Sequence, residues 1–465
     1  MPTLNNVLNI GLSGLKSNQV GLNVTGQNIA NINTEGYTRQ QLVLESAKQI
    51  VVGNQAYGTG VNLQAIARFR DAFIDRQFRE ENETMGSLEK QAESMDLIEG
   101  ILNEPSDSGL HEMIKNFFNS LQDLTTNPES SSVRTTVREQ GRSLARMFNQ
   151  VWSQLETVRD NKNFEIIDRV SNANEILDNI GVLNVEISGT ETMGRKANDL
   201  RDSRDQLLDR LSRIVDMTAY EDPENGSVTV SIEGRNFVTL NHVVHLEAEA
   251  SENDNELLFQ VINTTDKEVV KFSSGELHGL FEVRDNRIPR LQTRIDELAQ
   301  AIINKINDVH RKGYGIQGGR SSLPTGIDFF QGDDAASMKL SSQLESDPNN
   351  IAASKTGAPG DNSNALEMAQ LRNKGVLNEN SFSFEDYLGS LVSSLGLETV
   401  NIKERLDNQD RMVQHLKNFR ESIIGVNLDE ELINMIRYQK AFGANARMLS
   451  TVNEMMEVVV QLGRY

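Results

Sequence analysis

The sequence has 465 residues, of which none is cysteine, 8 are proline and 5% are aromatic. Without cysteine the chain has no disulfide bond, no thiol nucleophile and no cysteine-ligated metal. It also has no apolar run of the length that a membrane-spanning helix needs. We therefore expect a protein stabilised by helical cores, without membrane insertion.

Positive charge is scarce as well. The sequence has 46 Lys and Arg and 67 Asp and Glu, which gives a formal net charge of −21. An acidic surface repels phosphate groups, so nucleic acid is not expected as a partner. The apolar residues of the first 32 positions are dispersed among Asn, Ser and Gly. We expect no secretory signal peptide there, and an exported chain would leave the cell by another route.

The first 36 residues contain only Lys16 and Glu35 as charged side chains. Apolar residues recur there every seven positions, which is the spacing of a coiled-coil seam: Leu8, Leu15, Leu22 and Ile29. Each glycine in a helix costs about 1 kcal/mol relative to alanine, and several interrupt this stretch: Gly11, Gly14, Gly21 and Gly26. We predict a helix that becomes ordered by packing closely against partner helices.

The far end of the sequence has a matching seven-residue repeat: Leu428, Met435, Phe442, Leu449 and Met456. Asn427 and Glu430 have the spacing of a capping box at the start of a helix. We predict that the two seams pack on each other, within and between copies, so that the chain begins and ends in the same place.

The middle of the chain is predicted to be mainly α-helical. Apolar residues spaced three and four apart among charged ones predict long bundle helices over residues 85–102, 166–187, 288–309 and 402–423. The period changes to two in "SVTVSI" (Ser227–Ile232), after the turn cluster "DPENGS". The fold class is therefore mainly α, with long terminal coiled-coil helices, a central bundle built from both halves of the chain, and one small inserted β domain.

A search for chemical motifs favours no active site. His242, His245 and Glu247 resemble a metal cluster, but a separation of three places the two histidines on opposite faces of a strand. "SENDNE" (Ser251–Glu256) lacks the glycine and later glutamate of a calcium loop, and "GYGIQGG" (Gly313–Gly319) lacks the phosphate-loop lysine. No Gly-x-Ser-x-Gly elbow occurs. We expect no catalytic residue, no cofactor and no metal.

The stretch "NIANINTEGYTRQ" (Asn28–Gln40) has the composition of a helix C-terminus, since Asn and Gly36 tolerate left-handed backbone. It also resembles the N-terminal signature of the bacterial flagellar axial proteins, the rod, hook and hook-associated group. Residues 426–460, "VNLDEELINMIRYQKAFGANARMLSTVNEMMEVVV", look like the C-terminal helix of that group. Internal segments between "FFNSLQDLTTNPESSSVR" (Phe117–Arg134) and "INDVHRKGY" (Ile306–Tyr314) are similar to its hook-associated branch.

The resemblance implies a structural protein that polymerises into a tubular ring at the hook tip and joins the hook to the filament. It implies an inner tube of terminal helices from residues 1–40 plus 425–465. A helical bundle domain of residues 41–218 plus 275–424 would surround that tube, and residues 219–274 would form an outer β domain. The turn by which the chain leaves the tube would consist of Asn28, Asn31, Asn33, Thr34, Gly36 and Tyr37.

The resemblance also implies partners and a location. The partners are further copies of the chain, the hook protein, a second junction protein or the filament side, and an export chaperone on the C-terminal helix. The chain would be exported unfolded by the flagellar type III apparatus and would act at the hook–filament junction outside the cell.

Three alternatives stay open from the residues. The chain could be another axial component, such as a hook or distal rod protein. It could be a secreted enzyme carried on an axial scaffold, with its activity in the β insertion, although no convincing site is present there. It could also be a cytosolic coiled-coil scaffold, which the helical patterns alone permit.

Overall fold

The structure is a computed structural model that describes residues 2–52, 55–102, 109–251, 258–316, 326–377 and 381–462. The α-helices are α1 (Pro2–Ala30), α2 (Ala72–Leu102), α3 (Leu110–Thr126), α4 (Ser131–Thr192), α5 (Asn198–Ile214), α6 (Gly275–Phe281), α7 (Ile288–His310), α8 (Ser342–Ser346), α9 (Ser363–Gln370), α10 (Phe384–Ile424) and α11 (Leu428–Leu462). A π-helical segment (Glu282–Arg287) joins α6 to α7, and short 3₁₀ turns occupy Pro348–Asn350 and Leu371–Asn373.

The strands are shorter and lie in separate groups. They are β1 (Gln40–Ser46), β2 (Ile50–Val52), β3 (Gln55–Tyr57), β4 (Val61–Arg68), β5 (Thr218–Glu221), β6 (Val228–Ile232), β7 (Arg235–Thr239), β8 (His242–Val243), β9 (Leu246–Ser251), β10 (Leu258–Asn263), β11 (Phe330–Gln331) and β12 (Lys339–Leu340). All pairings are antiparallel: β5 to β8 form one sheet in sequential order, and β1 with β4, β2 with β3, β9 with β10, and β11 with β12 form two-stranded pairs.

The predicted fold class is confirmed: the chain is mainly helical, and strands β5 to β10 form a small β domain at residues 218–263. A second strand region was not predicted. Strands β1 to β4 form a long hairpin over residues 40–68, which we call the ribbon, inside the range expected to belong to the helical domain. Its strands bury little on either face, so the ribbon leaves no strong alternation in the sequence.

The largest hydrophobic core lies in the helical domain, where α2, α3, the first half of α4, α7 and α10 pack together. The predicted stripes of residues 85–102, 288–309 and 402–423 contribute to it, although Met85 and Leu406 are only half-buried and Val413 and Leu416 form a small separate cluster. The stripe of residues 166–187 lies mostly in a second core. In α10, Ile424 is buried and Ile423 only half-buried, so the last position of its stripe is shifted by one residue. Ser383 is the N-cap of α10 and forms a complete capping box with Asp386.

Helix α4 connects this core to a second one. It has 62 residues, about 93 Å at 1.5 Å per residue. Its first half packs in the helical domain, and its second half packs under the β domain together with the end of α5 and α6. One helix therefore belongs to both cores.

Asparagine side chains on α4 fix the β domain through backbone hydrogen bonds. The Asn174 amide donates to the Leu246 carbonyl oxygen over 2.7 Å and accepts from its N–H over 2.9 Å. Asn184 forms the same two bonds with Val228, over 2.8 and 2.9 Å. A carboxamide has the donor and acceptor of a peptide group, so these side chains satisfy strand backbone that would otherwise be buried without a partner.

Candidate assembly interface

Helices α1 and α11, the first and last helices of the described residues, form an antiparallel pair. A Cβ atom added to Gly21 would lie 2.7 Å from the ring of Tyr438. One added to Gly11 would lie 2.8 Å from Leu449 and one added to Gly14 would lie 2.7 Å from Asn445. Real Cβ atoms do not approach other atoms so closely. The glycines of α1 therefore permit α11 to lie closer than any side chain would allow.

Of the predicted seam residues of α11, Leu449 lies against α1 at Gly11. Met435, Phe442, Leu449 and Met456 are half-buried, and Leu428 is 45% exposed. In α1, the predicted seam of Leu8, Leu15, Leu22 and Ile29 is also half-buried. The positions of α1 that are buried are mostly small or polar: Gly11, Ser17, Gly21, Val24, Thr25 and Asn28. The centre of the intrachain contact is thus a face of small residues, and the apolar seam of α1 lies beside it.

Much of α11 has no partner within one chain. Among its described residues only Glu431 and Val452 are buried. Large apolar side chains are exposed along its length: Leu428, Leu432, Ile433, Ile436, Met455, Val458, Val460 and Leu462. A helix of this kind has apolar surface on more than one side, whereas a surface helix of a monomer buries a single stripe.

The side chain of Asn28 organises the turn that follows α1. It is 1% exposed and makes four hydrogen bonds. Its amide nitrogen donates to the Gln40 carbonyl oxygen over 2.9 Å and to the Glu431 carboxylate over 3.0 Å. Its oxygen accepts from the Tyr37 hydroxyl over 2.8 Å and from the Gln40 N–H over 3.0 Å. One residue therefore joins α1, the first strand of the ribbon and α11.

The remaining predicted turn residues follow Asn28 in the chain. The backbone N–H of Thr34 donates to the Asn31 carbonyl oxygen over 2.9 Å, and its hydroxyl donates to the Asn31 side chain over 3.1 Å. Asn33 is exposed. Gly36 has a φ of 76°, and a Cβ there would overlap the side chain of Gln206, which donates to the Glu35 carbonyl oxygen over 2.9 Å. Only glycine fits this position without strain.

Tyr37 lies in an acidic environment. Burial raises the pKa of its hydroxyl, and the carboxylates of Asp199, Asp202 and Glu431 raise it further. The hydroxyl is therefore protonated at neutral pH and acts as the donor to Asn28.

Arg39 links the turn to the start of α11. It forms ion pairs with Glu431 and Glu430 at 2.8 Å each, and its backbone N–H donates to the Ile424 carbonyl oxygen over 2.9 Å. Asn427 caps α11 as predicted, because its side chain accepts from the N–H groups of Asp429 and Glu430. The Glu430 carboxylate forms an ion pair with Arg39. Of the predicted capping box, therefore, the Asn427 half is formed and Glu430 has another partner.

We call α1, the turn, the ribbon and α11 the terminal unit. An acidic face of α5 joins this unit to the helical domain. Its aspartates lie three or four positions apart, hence on one side of the helix: Asp199, Asp202, Asp205 and Asp209. The Thr38 N–H donates to Asp202 over 3.0 Å, and the Gln40 amide donates to Asp199 over 3.2 Å.

Arginines from several elements pair with these aspartates. Arg68, at the end of the ribbon, lies 2.6 Å from Asp202 and 2.9 Å from Asp205. Arg70 lies 3.0 Å from Asp205, and Arg420 of α10 lies 2.6 Å from Asp209. Burial alone would raise the pKa of Asp205, but the nearby arginines, Arg70 first, lower it below its ordinary value.

Sequence reasoning missed this contact. The hydrophobic clusters of the described residues contain nothing from the terminal unit, so the contact with the helical domain depends on ion pairs and hydrogen bonds. The spacing of the four aspartates is visible in the sequence and was the available signal. An acidic helix face is usually solvated, however, and the arginine partners lie far away along the chain.

The motifs considered for chemistry have other partners or lie outside the described residues. The His245 ring nitrogen lies 2.9 Å from Asp178, and Glu247 pairs with Lys267 at 2.7 Å. Of the "SENDNE" stretch, residues 252–256 are outside the described residues, as are residues 317–319 of "GYGIQGG". Within the described ranges, no group of three or more His, Asp or Glu could hold a metal, and no helix is long and apolar enough to cross a bilayer.

Comparison with known families gives matches in three parts of the chain. A model described as "Flagellar hook-associated protein FlgK helical domain" matches residues 95–330. Models described as "Flagella basal body rod protein" and "Flagellar basal body rod FlgEFG protein C-terminal" match residues 8–38 and 422–462.

Curated relatives cover nearly the full length. The chain is 32% identical to flagellar hook-associated protein 1 of Bacillus subtilis over 96% of each sequence. It is 25% identical to flagellar hook-associated protein 1 of Salmonella typhimurium over 99% of this chain and 100% of the relative. The fold is similar to the solved structure of the flagellar hook junction protein FlgK from Burkholderia pseudomallei, with a TM-score of 0.65 and 14% identity over 75% of this chain and 100% of that one.

Proposed function

Since the chain belongs to the flagellar hook-associated protein 1 family, and is thus an axial component of the bacterial flagellum, we propose that it polymerises at the hook tip and forms the junction with the filament. The role is structural, and the protein has no catalytic activity. Its mechanism is assembly through the terminal unit.

The observation that carries the proposal is the unpartnered apolar surface of α11. Only two of its described residues are buried by the rest of the chain, although α1 is packed against it as closely as glycine allows. A second and third helix contacting α11 would bury the exposed isoleucines, valines and leucines. Neighbouring copies supply such helices in a tube, where the predicted seams of α1 and α11 also pack between copies.

The division of the chain follows from the same proposal. Residues 1–40 plus 425–465 form the inner tube, and residues 41–218 plus 275–424 form the domain around it. Residues 219–274 face outward. The uncharged side of α1 suits a hydrated channel, because among the described residues of that helix only Lys16 carries a charged side chain.

Partners and route are proposed from the family. One end of the ring contacts the hook protein, and the other contacts a second junction protein or the filament side. The chain is exported unfolded through the flagellar type III apparatus and becomes a secreted component of the flagellum. An export chaperone binds the C-terminal helix beforehand, since its apolar residues are the ones that need cover before assembly. Nucleic acid, cofactors and membrane insertion have no part.

The alternative is another axial component, such as a hook or distal rod protein. The rod-protein models match only the two ends of the chain, which rod and hook-associated proteins share. The helical-domain model covers residues 95–330 and favours the hook-associated role. Immunogold labelling of hook–basal bodies, isolated with and without filaments, separates these possibilities. We expect label at the distal end of the hook in both preparations; label along the hook or on the rod would support the alternative.

Complementation tests the assembly mechanism. In a strain lacking the gene, the full chain is expected to restore filament attachment and motility. A chain lacking residues 2–36 is expected to be produced as a folded middle that restores neither. Full motility with that deletion would contradict the role of the terminal unit.

A further inference from the structure

The ribbon has an apolar surface that the described residues of the chain leave exposed. Directly opposite residues form cross-strand pairs there, Leu44 with Leu63 and Ile50 with Tyr57. These side chains are 43%, 46%, 50% and 38% exposed, and Val51 near the tip is 69% exposed. Cross-strand pairs of this kind stabilise a sheet when a partner covers them. In water they are a surface for protein contact.

The ribbon also has little charge. Between Ser46 and Ala67 the only charged side chain is Lys48, whereas 24% of the whole chain is charged. Lys48 is exposed, and no carboxylate of the described residues pairs with it. Residues 46–67 of the ribbon thus present apolar groups around a single positive charge, and the exposed Glu45 lies just before them on β1.

The last turns of α11 present the complementary surface. Between Met448 and Leu462 the only charged residues are Glu454 and Glu457, and both are exposed. Around these two carboxylates lie exposed apolar side chains: Met455 (54%), Val458 (55%), Val460 (59%) and Leu462 (72%). Opposite charges set among apolar side chains give both attraction and register to a contact.

The two surfaces lie near the same end of the terminal unit. Asn6 donates to the Gly58 carbonyl oxygen over 3.0 Å, which holds the ribbon near the start of α1. The start of α1 lies beside the last third of α11, because Gly11 contacts Leu449. Among the described residues, the hydrogen bonds between the ribbon and the terminal helices all go to α1. The part of the chain that the structure describes therefore leaves both the ribbon and the last turns of α11 uncovered.

We infer that the ribbon of one copy packs on the last turns of α11 of a neighbouring copy. The occupant is a second copy of this chain, because its α11 matches the ribbon in charge and apolar character and is continuous with the surface proposed for assembly. The contact joins two different patches and is heterologous, so it propagates from copy to copy along a ring or helix. It rests on the proposed function in requiring a polymer.

Cysteine cross-linking tests the contact directly, because the natural chain contains no cysteine. The variant Val51→Cys with Val458→Cys is expressed as the full chain in the deletion strain, and the isolated hook–filament structures are oxidised. We expect covalent ladders of two or more copies, and none from either single variant. The matched control pairs Val51→Cys with Leu397→Cys, which is 64% exposed on α10, and we expect it to stay monomeric.

Two results would overturn the inference. One is a monomer from the Val51–Val458 pair in structures where the protein is present at the hook tip; the other is equal cross-linking of the Leu397 control. If immunogold instead finds no protein at the hook tip, the proposed function fails and not this contact alone. Capture of the hook protein by Val51→Cys in place of a second copy would also count against it.

Charge reversal gives a second readout. Lys48→Glu places like charges together, and we expect the cross-linked fraction to fall about tenfold. Adding Glu454→Lys and Glu457→Lys to that variant is expected to restore it. Failure of the triple variant to regain cross-linking would show that the two surfaces do not meet.

Discussion

The replacement of Gly21 by alanine tests the close approach of α1 and α11. Alanine favours a helix over glycine by about 1 kcal/mol. At Gly21, however, the new Cβ would lie 2.7 Å from Cε1 and 2.8 Å from Cδ1 of the Tyr438 ring. Such overpacking costs ~1–3 kcal/mol. We therefore expect Gly21→Ala to leave the pair between unchanged and about 2 kcal/mol less stable.

Gly26 supplies the matched control. It lies in the same helix, and a Cβ there would meet nothing within 4 Å. Gly26→Ala is expected to stabilise α1 by about 1 kcal/mol, because only the helix propensity changes. Gly26→Ala should thus be ~1–3 kcal/mol more stable than Gly21→Ala.

Amide hydrogen exchange of the full chain measures the difference, because it reports local opening of α1 separately from the helical domain. Slower exchange in Gly26→Ala and equal or faster exchange in Gly21→Ala are expected. In a Tyr438→Ala background, Gly21→Ala should become as favourable as Gly26→Ala, since the ring it would meet is gone. Equal protection by both alanines in the natural background would refute the packing described for the pair.

Three further changes act on buried polar groups. Asn28→Ala leaves the Gln40 N–H and carbonyl oxygen without their partner, which costs about 1–3 kcal/mol for each buried group left unpaired. Faster proteolysis within residues 31–39 is expected. An unchanged cleavage rate would contradict the role of Asn28 in holding the turn. Burial lowers the pKa of His310 to about 4, below its ordinary 6.5, so its contribution to stability is present above pH 6.5 and is lost as the pH falls through 4. His310→Gln should reduce the pH dependence of the urea midpoint over that window. An unchanged pH dependence would contradict the assignment of this effect to His310. Burial raises the pKa of Glu83 to about 8, so its contribution to folding stability is present below pH 4.5 and is lost as the pH rises through 8. Glu83→Gln should reduce the pH dependence of the urea midpoint between those values. If the dependence persists, another group titrates.

The helices of the middle domain could be predicted from the sequence because apolar spacing decides which side of a long helix is buried. Leu177 and Ile295 were placed on predicted stripes, and both are fully buried. The end of the first helix was also predictable, since Asn and Gly36 are the residues that leave a helix. The cap of α11 at Asn427 follows from the same local chemistry.

The contact between α1 and α11 was less accessible to such reasoning. Periodicity counts apolar side chains and therefore selects Leu22, but the two helices approach closely where a side chain is missing, as at Gly21. How closely two backbones approach depends on the partner's shape, here the ring of Tyr438. Whether Leu8, Leu15, Leu22 and Ile29 pack on other copies stays a prediction.

The ribbon and the acidic face of α5 could not be derived from one sequence for another reason. Asp202 and Asp205 look like solvated residues until Arg68, more than 130 positions away, is placed beside them. Charge pairs between distant segments leave no periodic signal. The ribbon leaves none either, since its apolar side chains are largely exposed.

The hydrogen bond between Asn28 and Glu431 joins residues 403 positions apart. Closing a flexible loop of that length costs about 5 kcal/mol of chain entropy, so pairing α1 with α11 before the middle of the chain has folded carries that cost. The folded middle shortens that loop, because it holds Arg39 next to Ile424. We therefore expect the α1–α11 pair to form after the middle of the chain has folded. Before α11 is in place, α1 has no partner helix within the chain.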